Sequence, residues 1–128
     1  MAKRESINIG SGGHAAPIPM GSRIGNVVYS SAIGGRDEAL GKIPDDPDEQ
    51  AVAVFNNVRA FMKACGGTPD NIIHMRLLMK DDKYRENLNK EWVKMFPDEN
   101  SRPARHAEVP NRLGQGLFNV ELVAVLDS

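Results

Sequence analysis

The sequence predicts an α+β domain in which two helices pack on one face of a mixed β-sheet. Two segments repeat apolar residues at three- and four-residue spacing, whereas the segments beside them alternate as strands do. At 128 residues, the chain fits one domain spanning residues 1–128. The two helical stripes consist of Ala51, Val54, Phe55, Val58, Phe61, Met62 and Cys65, and then of Tyr84, Leu88, Trp92, Met95 and Phe96.

The ends of both helices carry recognisable signals. Asp46 is suited to the N-cap of the first helix, Pro47 to its first position, and Glu49 completes a capping-box pattern. Gly66-Gly67 ends that helix. The second helix is predicted to begin near Asp81 or Asp82 and to stop before Pro97. Asn89 is expected on its polar side.

Three strands are expected before the first helix, and one lies between the helices. Glu5–Ile9 forms a short strand, Gly10–His14 a flexible connector, and Arg23–Asn26 a hairpin turn between two further strands. Tyr29, in the third strand, is predicted to be a core residue. The strand between the helices, Asn71–Lys80, directs Ile73, Met75, Leu77 and Met79 to the core and Ile72, His74, Arg76 and Leu78 to the other face.

The second sheet face has no element to cover it. Its mixture of polar and apolar residues around His74 and Arg76 therefore predicts that neighbouring subunits cover it.

The last third of the chain contains two strands, Ala104–Val109 and Leu117–Leu126, and the short link between them predicts a hairpin. In the symmetric register Arg105 lies opposite Glu121. Two interpretations come out even on residue chemistry: a cross-strand ion pair that fixes the register, or a pocket in which Arg105 grips a small carboxylate. His106 is expected on the face opposite Arg105, outside the pocket.

Composition argues against several classes of protein. The net charge of −1 and the aromatic content of 5% do not favour a nucleic-acid partner. No apolar run is long enough for a membrane span, and the N-terminus lacks a signal-peptide core, so a cytoplasmic protein is expected. Cys65 cannot form an internal disulfide and is predicted to be a buried thiol. The three histidines show no ligand spacing, so no metal site is predicted.

The chain resembles the RidA family, also called the YjgF family, over about residues 15–126. The family's proteins are small trimers with a chorismate-mutase-like fold. Pro-Ala-Arg after a Phe-ending helix, followed by a last strand that carries a glutamate, is the most specific combination. The segments that carry the resemblance are Gly21–Asn26 leading to Ser30, Glu49–Ala51 with Asn57-Val58, Val93–Phe96, Arg102–Arg105 and Val120–Ala124.

The resemblance implies hydrolytic deamination of small enamine or imine carboxylates, such as 2-aminoacrylate, to 2-keto acids and ammonia. It implies no cofactor and no metal, and a homotrimer with sites at the subunit interfaces. Arg105 is implied to bind the substrate carboxylate and Glu121 to position or activate water. The other implied substrate-binding positions are Ser30, Ser31, Ala107 and Ile18.

Several positions depart from the family pattern. Ile18 stands where the family often has an active-site tyrosine, Ser31 where it often has glycine, and Ala107 where it often has cysteine. These changes leave a second hypothesis open, a non-catalytic protein that binds 2-keto acids. RNA cleavage, attached to some endoribonuclease L-PSP-like relatives, is the least favoured reading because the chain has no basic stripe.

Overall fold

One seven-stranded mixed sheet and two helices form the domain in the computed structural model, which describes residues 3–9 and 17–127. This confirms the predicted α+β class. The connector predicted over Gly10–His14 lies outside the described residues. The elements are β1 (Glu5–Ile7), β2 (Gly21–Ile24), β3 (Val27–Ser30), β4 (Ile33–Gly34), α1 (Pro47–Ala64), β5 (Ile72–Met79), α2 (Arg85–Met95), β6 (Ala104–Glu108) and β7 (Phe118–Val125).

The capping signals mark the ends of α1 correctly. The Asp46 carboxylate accepts a hydrogen bond from the Glu49 backbone N–H at 3.0 Å, and Pro47 occupies the first turn. After the helix, Gly66 takes a φ of 83°, a conformation that glycine adopts without strain. The second helix starts later than predicted, because a 3₁₀ turn over Asp82–Tyr84 precedes α2.

The strand order is β1-β2-β3-β7-β5-β6, and β4 also pairs with β7. The predicted hairpin between the last two strands is therefore wrong. β6 follows β5 through α2 and pairs with it in parallel, as such helical crossovers require. β7 then inserts between β3 and β5, where its alternate apolar residues are covered, whereas the more exposed β6 suits an edge.

The predicted faces of β5 are wrong for its first two residues, because the strand contains a bulge. The register with β7 shifts between Ile72 and His74, so Ile72 is buried while Ile73 is 53% exposed. From Met75 onward the alternation is as predicted, with Met75, Leu77 and Met79 buried in the core. The one-residue irregularity reverses the faces of the first two residues of the strand.

The two faces of the sheet differ in cover. We call the face under α1 and α2 the closed face, and the other the open face. On the open face Tyr29 is 60% exposed, so the prediction of a core tyrosine is wrong; Ile24, Val27 and Val125 are exposed on the same face. Among the described residues, neither helix has the length and apolar character needed to cross a membrane. The core of the closed face includes Phe55, Phe61, Met75, Leu77, Leu88, Trp92, Phe118 and Leu122.

Candidate functional site

Arg105 lies on the closed-face side of the edge strand β6. It pairs in register with Met75, a core residue of β5, and it is half-buried. Its guanidinium carbon lies 5.1 Å from the centroid of the Trp92 ring in α2, within the range of a cation–π contact. The cation is therefore held between the sheet edge and the C-terminal half of α2.

Among the residues that the structure describes, 3–9 and 17–127, no acidic side chain forms an ion pair with this cation. Burial lowers the pKa of the Arg105 guanidinium, and the nearby positive charge of Arg85 lowers it further, while Glu86 acts in the opposite direction. A half-buried cation without a carboxylate in contact is a favourable place for an anionic ligand.

Glu121 lies on the open face and has a different partner. Its register partner on β5 is Arg76, and Arg76 Nη1 lies 3.4 Å from Glu121 Oε1. Arg76 also forms a closer ion pair with Glu108 of β6, and the hydrogen bond to Glu108 is the main reason why the pKa of Arg76 is raised. Arg76 thus sits between two carboxylates, in a role that sequence reasoning did not give it.

Arg105 and Glu121 do not meet within one chain. The expected pairing of the two residues is wrong because β5 lies between their strands. They are two strand spacings apart, about 9.5 Å. They also lie on opposite faces, since Arg105 is in register with Met75 and Glu121 with the next residue, Arg76. His106 is opposite Arg105, as expected, and therefore shares the open face with Glu121.

The remaining predicted site residues fall into two groups. Ala107 is two residues beyond Arg105 on β6, and we call Arg105, Ala107 and Trp92 the β6 half-site. The others lie around the junction of β3 and β7. We call Glu121, Ser30, Ser31 and Ile18 the β7 half-site.

Hydrogen bonds hold the β7 half-site together. The Ser30 hydroxyl accepts a bond from the Leu122 backbone N–H at 2.9 Å, next to Glu121. The Ser31 hydroxyl donates to the Pro19 carbonyl at 2.8 Å, which fixes the chain directly after Ile18. Ile18 itself is 50% exposed, so it presents an apolar surface to solvent in the isolated chain.

Two residues of α2 have surroundings that the sequence did not predict. Trp92 has the apolar spacing of a core residue and is buried as expected, yet it also contacts the guanidinium. Asn89 lies one turn before Trp92 on α2; it is half-buried rather than on a polar surface. Its Oδ1 is buried and accepts no hydrogen bond from any described residue, while its Nδ2 donates to Glu86. Sequence spacing gave no signal for this, because it shows which helix face a residue shares but not what faces it.

Similarity to known proteins places the chain in a family. A family profile described as Endoribonuclease L-PSP matches residues 15–126. The chain belongs to the RidA family. A RutC family protein of Saccharolobus solfataricus is 28% identical over 119 residues, which cover 85% of each protein. A RutC family protein of Aquifex aeolicus is 27% identical over 95 residues, covering 70% of this chain and 76% of the relative.

Solved structures of RidA-family proteins have the same fold. The structure of Escherichia coli TdcF with bound serine is 25% identical, with a TM-score of 0.85, and the match covers 96% of this chain and 99% of TdcF. RidA of an Antarctic Psychrobacter is 23% identical with a TM-score of 0.84, covering 95% and 99% of the two chains. These matches confirm the RidA-like fold that the sequence predicted.

Proposed function

We propose that this RidA-family protein hydrolyses small enamine or imine carboxylates of the 2-aminoacrylate type to 2-keto acids and ammonia, without a cofactor. The observation that carries the proposal is the half-buried Arg105 guanidinium, which contacts no carboxylate of the described chain. A planar guanidinium binds a carboxylate through two parallel hydrogen bonds, so it fixes one end of such a substrate.

The complete site is proposed to form between two copies of the chain in a homotrimer. The β6 half-site supplies the carboxylate anchor and the β7 half-site supplies Glu121. Because Arg105 and Glu121 are on opposite faces of the sheet within one chain, they can act on one small molecule only if they come from different chains. The exposed apolar residues of the open face, among them Val27 and Tyr29, give this association a surface to bury.

The chemistry requires a bound substrate, a water molecule and a group that transfers a proton. The enamine first becomes the imine by moving a proton to its terminal carbon. Water then adds to the imine carbon, and the tetrahedral carbinolamine breaks its C–N bond to release ammonia and the keto acid. Glu121 is proposed to accept the proton of the water and to return it to the departing nitrogen. Arg105 holds the carboxylate throughout.

A second candidate is binding of 2-keto acids without catalysis. The observation that favours it is at Ile18, where an exposed apolar side chain replaces a tyrosine hydroxyl of the family pattern. Arg76 also lies against one oxygen of Glu121, which leaves that carboxylate less free to transfer protons. Both candidates use Arg105 in the same way and differ only in the role of Glu121.

The deciding experiment measures release of ammonia and keto acid from 2-aminoacrylate that another enzyme generates in the assay. We expect the wild-type chain to exceed the spontaneous rate. Glu121→Gln should lower this gain by roughly 10²–10⁴-fold, the usual contribution of a general acid–base group. The matched control is Glu108→Gln, which removes the other carboxylate of Arg76 and should leave the rate unchanged.

The result also separates the two candidates. If wild-type protein leaves the spontaneous rate unchanged for imines from several amino acids, the enzymatic proposal is wrong. Saturable binding of a 2-keto acid, measured on the same sample by calorimetry, then supports the binding protein instead.

A further inference from the structure

The guanidinium of Arg76 links three strands of the open face. Its Nε donates a hydrogen bond to Oε1 of Glu108 on β6, and its Nη1 lies 3.4 Å from Oε1 of Glu121 on β7. Arg76 itself is on β5, between those two strands, and Glu121 is its register partner. The closer bond to Glu108 anchors the guanidinium, so its position against Glu121 is fixed from outside the β7 half-site.

The contact with Arg76 distinguishes the two oxygens of the Glu121 carboxylate. Oε1 lies against the guanidinium, whereas Oε2 forms no hydrogen bond with any residue that the structure describes. The backbone of β7 is fixed at the same place, since the N–H of the next residue, Leu122, donates to the Ser30 hydroxyl. The carboxylate is therefore held through one oxygen, and its second oxygen remains available to accept a proton.

Covering the open face changes what Glu121 needs. Both Arg76 and Glu121 are half-buried in the single chain, and the proposed trimer would bury them further, together with exposed apolar neighbours such as Tyr29 and Val27. Burial alone favours the protonated form of a carboxylic acid, whereas a cation in contact favours the ionised form. A protonated Glu121 cannot accept the proton of an attacking water, so the cation beside it has a function in the covered site.

The other titratable groups of this face lie mainly toward β6. They are Glu108 and the pair of His74 and His106, in which Nε2 of the first ring lies 2.9 Å from Nδ1 of the second. Toward β3 the nearest titratable group is Tyr29, whose phenol is neutral at neutral pH. Among the described residues, the guanidinium is the one cation in an ion pair with Glu121.

We propose that Arg76 is a positioning residue for Glu121. It holds Oε1, keeps the carboxylate ionised when the open face is covered, and leaves Oε2 to accept the proton of the attacking water. Arg76 does not touch the substrate, whose carboxylate is assigned to Arg105. This inference rests on the proposed deaminase function. The alternative, in which Arg76 only restrains Glu121 from transferring protons, predicts the opposite change in rate when Arg76 is removed.

The first test replaces Arg76 in the full chain. Arg76→Met should lower the rate of imine hydrolysis by roughly ten- to a hundredfold, because Glu121 loses its fixed position. Affinity for a 2-keto acid should stay within about twofold of wild type, since the ligand carboxylate is bound elsewhere. Arg76→Lys should recover part of the rate, because an ammonium restores the charge but not the planar fork. The matched control is Arg59→Met, at an exposed arginine of α1, which should change neither measurement.

The second test observes the Glu121 carboxylate directly. Its carbon-13 signal, assigned with the Glu121→Gln variant, is followed from about pH 3 to about pH 8. Removing the cation removes an interaction that favours the ionised form. The midpoint should therefore rise by about half a pH unit or more in Arg76→Met. A rate profile alone would not identify the group, because His74 and His106 also gain protons within this range.

Circular dichroism and light scattering check that each variant folds and assembles as wild type does, and Arg76→Gln replaces Arg76→Met if the latter does not. An active wild type with an unchanged Glu121 midpoint in Arg76→Met, or with a rate that equals or exceeds wild type, would overturn this inference alone. A wild type that does not accelerate hydrolysis would overturn the deaminase proposal, and with it the catalytic use of Arg76. The titration then still shows whether Arg76 controls the ionisation of Glu121.

Discussion

The closed and open faces of the sheet are built from the same strands, but they differ in how much of each face a single chain buries. On the closed face Met75 and Leu122 are in register and fully covered by the core. On the open face the next register pair, Arg76 and Glu121, remains half-buried, and Tyr29 is exposed beside it. The closed face therefore contains the hydrophobic core of the chain. The open face has side chains that the chain itself leaves partly or fully exposed.

Two arginines, one on each face, show the same contrast in how their charge is balanced. Arg76 is bound to Glu108 and Glu121, so its charge is balanced within the chain. Arg105 has the ring of Trp92 for a neighbour and no carboxylate in contact among the described residues. The difference is the reason why the proposed function assigns the ligand carboxylate to Arg105 rather than to Arg76.

The largest expected effect is on the closed face. Phe61 is fully buried, and Phe61→Ala should lower the free energy of unfolding by about 3–5 kcal/mol, because it leaves a cavity under the sheet. Tyr29→Asp, on the open face, should leave the far-ultraviolet circular dichroism unchanged and instead reduce the oligomer size in light scattering. If Tyr29→Asp unfolds the chain as Phe61→Ala does, the two faces do not differ in the way described.

Removing the unpaired arginine should affect binding much more than stability. Arg105→Ala deletes two charge-assisted hydrogen bonds to a substrate carboxylate, each worth about 1.5–3 kcal/mol. Affinity for a 2-keto acid should fall by roughly a hundredfold or more. Arg105→Lys should fail in large part, since an ammonium cannot reproduce the planar fork.

Calorimetry and thermal melting on the same samples check this prediction. Arg112→Ala, a change at an exposed arginine, is the matched control and should bind normally. An Arg105→Ala variant that melts early but binds the keto acid as well as wild type does would remove Arg105 from the site.

A mixing experiment tests whether the two faces complete one site between chains. Arg105→Ala and Glu121→Gln should each be inactive alone. When the two variants are unfolded together at equal concentration and refolded, about a quarter of the sites should combine an intact Arg105 with an intact Glu121 in a ring of heterologous contacts. The deaminase assay should then recover about that fraction of wild-type activity. Mixtures that stay inactive would contradict a shared site.

The smallest expected effect concerns Cys65, at the end of the closed face. Burial raises the pKa of its thiol, against a weaker opposing influence of Arg23. The unfolded chain therefore loses this proton at a lower pH than the folded chain does. The buried neutral thiol of Cys65 therefore makes its full contribution to the free energy of unfolding below the ordinary thiol pKa, and this contribution declines as the pH rises above it. Iodoacetamide should react slowly with the native chain at pH 8 and rapidly in urea. Equal rates would show that the thiol is not covered.

The sequence predicts local structure better than it predicts the meeting of strands. Periodicity and capping residues such as Asp46 and Pro47 are sufficient for the helices and for the fold class. The order of the last two strands is not local, because a short link between Glu108 and Phe118 is compatible both with a hairpin and with a crossing over β5. That one error also joined Arg105 to Glu121 and hid the role of Arg76.

For the candidate site, the family resemblance and the residue chemistry left the same question open, namely whether Arg105 and Glu121 meet within one chain. The resemblance names Arg105 and Glu121 without saying whether one chain holds both. Residue chemistry left an ion pair and a pocket open, and the register of β5 excludes the ion pair within a chain. His74 and His106 show the same limit, since only the parallel pairing of β5 and β6 brings them together.

The position of β7 has a consequence for how the protein is made. β7 is the last strand of the described chain, yet it pairs with β3, β4 and β5 near the middle of the sheet. During synthesis, β1–β3 and the β5–α2–β6 unit emerge first, and each has an edge that awaits the missing strand. Until Phe118–Val125 leaves the ribosome, those edges remain open to pairing with other chains. The nascent protein is therefore most prone to aggregation just before its central strand is available.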